Sequence, residues 1–182
     1  MPAPTPLLFM ITGARGAGKT AFCARIVEAA REAGWKAAGI LSHPVFEGDT
    51  RTAIEAEDLR TGARRILARR VAADEATLPT PGTKHWSFDP AAIDWANSVL
   101  EAAPPADLLI VDELGPLEFE RNAGWQKGLA AVDSRQYAIA LVVVRAELLG
   151  EALLRWGEAN VVEIETPEAS AWKAEKLAEQ LF

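Results

Sequence analysis

The residues ITGARGAGKT, 11–20, follow directly on the apolar run LLFM and constrain the chain more than any other stretch. From Gly13 to Thr20 they spell G-x-x-x-x-G-K-T, between a short apolar segment that reads as a strand and an amphipathic one that reads as a helix. Glycines at this spacing let the backbone curl so that successive N–H groups point inward, and the helix that follows adds the positive end of its dipole. Such a turn is built to hold phosphate. It predicts a nucleoside triphosphate site in which Gly13, Ala14, Arg15, Gly16, Ala17, Gly18, Lys19, Thr20 and Ala21 surround the ligand, mostly through their backbone. Lys19 is placed to reach the outer phosphates, and the Thr20 hydroxyl to ligate the magnesium ion, Mg2+, that bridges them.

The flanking pattern supports this reading. LLFMIT, residues 7–12, has the unbroken apolar character of a parallel strand covered on both faces. Phe22, Ile26 and Ala30 recur at four-residue spacing after the turn, and Gly34 supplies a stop.

A second motif completes the chemistry. LLIVDE, residues 108–113, buries a strand and delivers two carboxylates at its C-terminal end, where ligands bind in open α/β sheets. Asp112 fits the acid that orients magnesium, and Glu113 fits a base directed at the water attacking the γ-phosphate. About 90 residues separate the two motifs, so their strands need not be neighbours.

Between them, AAGILSHPV, TAIEAEDL and ARRILARR read as strands, the last two pairing antiparallel as a ribbon appended to the parallel sheet. Arg60, Arg64, Arg65, Arg69 and Arg70 read as a solvated face. Residues 71–88, dense in Pro and Gly, read as a loop over the site, with Trp86 a candidate for base stacking. Asp89–Pro90 opens a helix, and further strands are expected at DLLIVD, YAIALVVV and NVVEI, with a terminal helix capped by Thr166–Pro167. The expectation is one domain over residues 1–182, a three-layer α/β sandwich with a mainly parallel central sheet and an antiparallel ribbon extension.

With 19 basic against 26 acidic side chains, the chain lacks the electrostatic footprint for a phosphodiester backbone or an anionic membrane. Neither nucleic acid nor membrane is expected as a partner, and no protein partner can be read. The single cysteine, Cys23, has no companion for a disulfide or a metal site, and the apolar run 7–11 is too short to span a bilayer and has no basic segment before it. Both points favour a cytoplasmic protein.

On ITGARGAGKT, the GILSHPV ribbon and DELGPLEF, the chain resembles the cancer-related nucleoside-triphosphatase family, small single-domain P-loop enzymes with a RecA-like core. The resemblance covers most of the chain, and Asp112, Glu113, Gly115 and Glu118 match the family's extended second motif. It implies slow, magnesium-dependent hydrolysis of ATP, GTP and other nucleoside triphosphates. Two positions depart from the family pattern: Pro116 stands where a lysine is usual, and Ala169–Ser170 where an Asn-Arg pair is usual, with Arg145 a candidate substitute near the γ-phosphate. Two other classes compete with hydrolysis. A nucleotide-switched binding module would turn over only with a partner, and a P-loop transferase such as a corrinoid adenosyltransferase would release intact triphosphate.

Overall fold

The computed structural model describes residues 5–71, 82–83 and 86–182. Five strands run parallel: β1 (Leu7–Thr12), β2 (Ala37–Glu47), β7 (Ala106–Leu114), β8 (Tyr137–Val144) and β9 (Asn160–Glu163). Four more, β3 (Thr50–Asp58), β4 (Arg64–Arg70), β5 (Gly82–Thr83) and β6 (Trp86–Phe88), extend the sheet antiparallel. The spatial order is β5-β6-β4-β3-β2-β7-β8-β1-β9, so β8 lies between the strands that carry the two motifs.

The strands are apolar because both faces are covered. Along β1, Leu8 and Met10 join one core, and Phe9 and Ile11 the other. On β7, Leu109 and Val111 face the first core, Leu108 and Ile110 the second. This alternation is the period-two pleat of a strand buried on both sides. The first core is closed by α2 (Pro90–Ala102), α4 (Gln126–Asp133) and α5 (Leu149–Arg155); the second by α1 (Lys19–Glu32) and α6 (Pro167–Leu181). A four-residue helical turn, α3 (Pro116–Phe119), follows β7.

Local signals act as the residue types require. Phe22, Cys23, Ile26 and Ala30 are buried on α1. The Asp89 carboxylate accepts from the Ala91 N–H at 2.9 Å, and the Thr166 hydroxyl from the Ala169 N–H at 3.2 Å, each with proline in the first turn of its helix. Among the described residues, no helix is long and apolar enough to cross a membrane.

The expected loop over 71–88 needs correction where it is described. Trp86–Phe88 pairs antiparallel with Ala68–Arg70, and Gly82–Thr83 pairs with it in turn, so this part is an edge of the sheet. Residues 72–81 and 84–85 lie outside the described residues. The polar punctuation masked a strand only three residues long, below the length at which alternation can be read.

Gly39 lets β2 lie close against β7. Its φ is 104°, a region L side chains rarely adopt, and a Cβ there would strike the Ile110 carbonyl. Gly39→Ala is therefore expected to destabilise the fold by about 3 kcal/mol, combining backbone strain with overpacking. Chemical denaturation measures this, and a variant as stable as the parent would show that the two strands can part without loss.

Candidate functional site

The carboxyl ends of the parallel strands share one edge of the sheet, and the phosphate-binding turn lies there between β1 and α1. Gly13 has φ 136°, and a Cβ on it would collide with the Ile164 carbonyl, so only glycine lets the turn leave β1 beside the end of β9. From the α6 side the buried Ser170 hydroxyl donates to the Gly18 carbonyl at 2.8 Å. The position where the family pattern departs is thus a clasp on the loop. Ala14, Arg15 and Gly16 are exposed at its crest, and Ala17 is buried beneath it. Lys19 Nζ bends back to donate to the carbonyls of Gly13 at 2.8 Å and Ala14 at 3.0 Å. Ala21 is exposed on the first turn of α1.

Asp112 ends the apolar run of β7 and is only 1% exposed. Its Oδ2 accepts from the Ser42 N–H at 3.1 Å, and its own carbonyl accepts from the Ser42 hydroxyl. Burial pushes the Asp112 carboxyl up to about 7; the Ser42 N–H opposes that rise, Glu113 adds to it, and the Thr20 hydroxyl and Lys19 ammonium oppose it. The loop and the acidic strand end therefore meet at Thr20, Lys19 and Asp112. Glu113 stays half-exposed, its Oε1 3.6 Å from Arg145 Nε.

Some residues singled out from the sequence take other places. Glu118, matched to the family's second motif, is buried with both carboxylate oxygens engaged: Oε2 accepts from the Gly115 N–H and Oε1 from the Trp125 N–H, each at 2.8 Å. It braces the turn after β7. Trp86 is 8% exposed, and the guanidinium carbons of Arg15 and Arg51 lie over its ring at 5.8 and 5.2 Å. Arg60 donates to the carbonyls of Ala102 and Ala103 at the C-terminal end of α2, and Arg64 pairs with Glu55 and Glu57. Pro116 occupies the first turn of α3.

Sequence reading missed Ser42, Arg51 and the clasp role of Ser170. Ser42 sits in a strand whose pattern carries no sign that it borders the acid. Arg51 lies in the polar hairpin tip, where an arginine has no distinguishing signature. Only the sheet order, which puts β2 against β7, brings either near the site.

The raised Asp112 carboxyl has a consequence for stability. A carboxyl that titrates near 7 in the folded chain and near its ordinary 3.8 when unfolded binds more protons folded, so stability falls as pH rises between those values. Asp112→Asn removes the buried charge. In protein free of nucleotide and metal, its thermal midpoint should gain on the parent's by more at about pH 8 than at about pH 6. Equal differences at the two pH values would show that burial places no burden on this carboxyl.

Comparison with known proteins agrees with the geometry. A family model described as NTPase matches residues 8–168. The chain is 33% identical over 137 residues to a nucleoside-triphosphatase THEP1 of Methanopyrus kandleri, covering 75% of this chain and 73% of that protein. To the protein of the same name from Thermofilum pendens it is 29% identical over 142 residues, 78% of this chain and 76% of the relative. Among solved structures, that of a human cancer-related nucleoside triphosphatase superposes with a TM-score of 0.70 at 19% identity over 97% of each chain. The crystal structure of THEP1 from Aquifex aeolicus superposes with a TM-score of 0.65 at 19% identity, covering 96% of this chain and 99% of that one. The two superpositions bear on the fold, a mixed α/β sheet of the P-loop NTPase type, while the family match and the Methanopyrus kandleri relative bear on descent. The chain belongs to the NTPase family of nucleoside-triphosphate hydrolases.

Proposed function

We propose that residues 1–182 act as one domain that hydrolyses nucleoside triphosphates to diphosphate and phosphate, with its phosphate loop holding the substrate and magnesium as cofactor. The observation that carries this reading is the meeting of Lys19 and Thr20, at the start of α1, with the buried Asp112 at the end of β7. A phosphate-holding turn alone would suit many ligands. A carboxylate buried against it suits a cation bridging turn and acid.

The donor set fits magnesium. Among the described residues no group of three or more His, Cys, Asp or Glu side chains could hold a metal by itself. Magnesium commonly takes one or two protein oxygens and completes its shell with substrate phosphates and water. Thr20 and Asp112 would hold it here, and when bound it would neutralise charge developing on the β- and γ-phosphates.

The chain's own groups account for the remaining steps. Backbone N–H groups of the loop receive the phosphate oxygens, and Lys19 exchanges its two carbonyl acceptors for the outer phosphates. Glu113, more open than Asp112 and oriented by Arg145, accepts the proton of the attacking water. The water oxygen bonds to the γ-phosphorus as the bond to the β–γ bridging oxygen breaks, and that electron pair leaves with the diphosphate. Every group named touches phosphate rather than base, so ATP and GTP should both serve.

The two acids should fail differently. Glu113→Gln keeps size and loses charge, so magnesium–nucleotide affinity should stay near the parent's while single-turnover phosphate release slows on the order of 10²-fold or more. Asp112→Asn should shift the magnesium dependence itself, and Lys19→Ala should strongly weaken binding or turnover. Calorimetry and phosphate release over a magnesium series separate these outcomes. Parent-like hydrolysis by Glu113→Gln would remove the base assignment, and release of intact triphosphate would identify a transferase instead.

A further inference from the structure

The wall facing the phosphate loop is made by the antiparallel extension. β2 runs on past Ser42 to Glu47 and turns at Gly48–Asp49 into β3, carrying Arg51 beyond the carboxyl edge of the parallel strands. The pairing slips there: Val45 faces Ala53 but Phe46 faces Arg51, so Thr52 is the extra residue of a β-bulge. Bulges bend a strand and re-aim its side chains. The re-aimed Arg51 places its guanidinium 5.2 Å from the centre of the Trp86 ring, the same ring that Arg15 of the phosphate loop reaches at 5.8 Å. Trp86 thus links floor to wall and holds two guanidinium groups of like charge together.

Like charges collected at a site need an anion. Arg51 is half-buried, and its Nε is shielded from solvent with no hydrogen-bond partner among the described residues. A buried N–H left without an acceptor is costly unless a ligand supplies one. Its guanidinium is weakened as a base by burial and by Arg15, while Glu113 and Asp112 pull the other way. Those are the two acids assigned above to the attacking water and the metal. Arg145, by contrast, already has Glu113 beside it.

We propose that Arg51 is a catalytic residue that donates to the γ-phosphoryl oxygens, an arginine supplied in cis by the hairpin, with Trp86 holding its planar group in place. The assignment rests on the phosphate-site reading above. In the ground state backbone N–H groups and Lys19 carry binding. As the bond to the bridging oxygen breaks, charge spreads over the γ-phosphoryl group, and the rigid donor fork of arginine matches those oxygens where a lysine point charge does not. Arg51 acts on the rate more than on affinity.

Three variants test this beside the parent: Arg51→Ala, Arg51→Lys and Lys19→Ala. Single-turnover phosphate release, the dissociation constant for magnesium with a non-hydrolysable ATP analogue, and thermal midpoint are measured for each. Arg51→Ala should slow release on the order of 10²- to 10³-fold while the dissociation constant moves only a few-fold. Millimolar guanidinium ion should restore part of the rate, and Arg51→Lys, a milder change that keeps the charge, should recover little of it. A folded Arg51→Ala with parent-like release overturns the assignment, as does a rate loss matched by an equal loss of affinity. If Arg51→Ala does not fold, Arg51→Lys decides: release at the parent's rate overturns the proposal. Lys19→Ala separates the two levels. Equal turnover by parent and Lys19→Ala overturns the phosphate site and Arg51's role with it, whereas a dead Lys19→Ala beside an unaffected Arg51→Ala overturns only the latter.

Discussion

The two hydrogen bonds between Ser42 and Asp112 tie the hairpin-bearing strand to the strand end proposed to act on phosphate. One fixes the carboxylate through the Ser42 N–H; the other fixes the backbone of β7 through the Ser42 hydroxyl. β2 belongs to both halves of the sheet, as the last parallel strand and the first strand of the hairpin. Its register against β7 therefore sets where the acid lies and where the hairpin tip falls. Gly39 permits that register by letting the backbones approach, and a one-residue slip would turn every side chain of β2 to the opposite face.

The adjacent acids at the end of β7 meet different environments. Asp112 is enclosed by Ser42, Thr20 and Lys19, whereas Glu113 turns out toward Arg145. The enclosed carboxylate bears the cost of desolvation and gains a purpose only with a cation beside it, since burial without a partner favours the neutral acid. The open one keeps access to water. In the proposed reading, metal holding and proton acceptance are divided between these neighbours by their burial.

The parallel core was legible because its signals are local. A run such as LLIVD or YAIALVVV announces a strand covered on both faces, and Gly13 to Thr20 announces the turn between strand and helix. The ribbon of β3 and β4 was legible from alternation around the turn at Thr61–Gly62. The wall of the site was not. Trp86 lies in a three-residue strand, and the importance of Arg51 depends on a bulge, a hairpin reaching past the sheet, and a tryptophan 35 positions away in the chain. Glu118 shows the same limit: its match to a family pattern carries no sign of its contacts, in which one carboxylate oxygen accepts from the Gly115 N–H and the other from the Trp125 N–H.

Floor and wall are built by different physics. The floor is held by backbone contacts with little room to change: Gly13 against Ile164, and the Gly18 carbonyl under the Ser170 hydroxyl. The wall is built from long side chains gathered on an aromatic ring at the end of a hairpin, Arg15 and Arg51 over Trp86. Contacts of that kind are each worth about 0.5–2 kcal/mol and rearrange on a local scale. Like-charged guanidinium groups are also pushed apart until an anion comes between them. In the proposed reading the floor supplies a fixed backbone cradle, and the ring of Trp86 positions the guanidinium groups of the wall. On the proposed reading, a hydrolase built this way would take its affinity from rigid backbone and set its rate through the arginine of the hairpin.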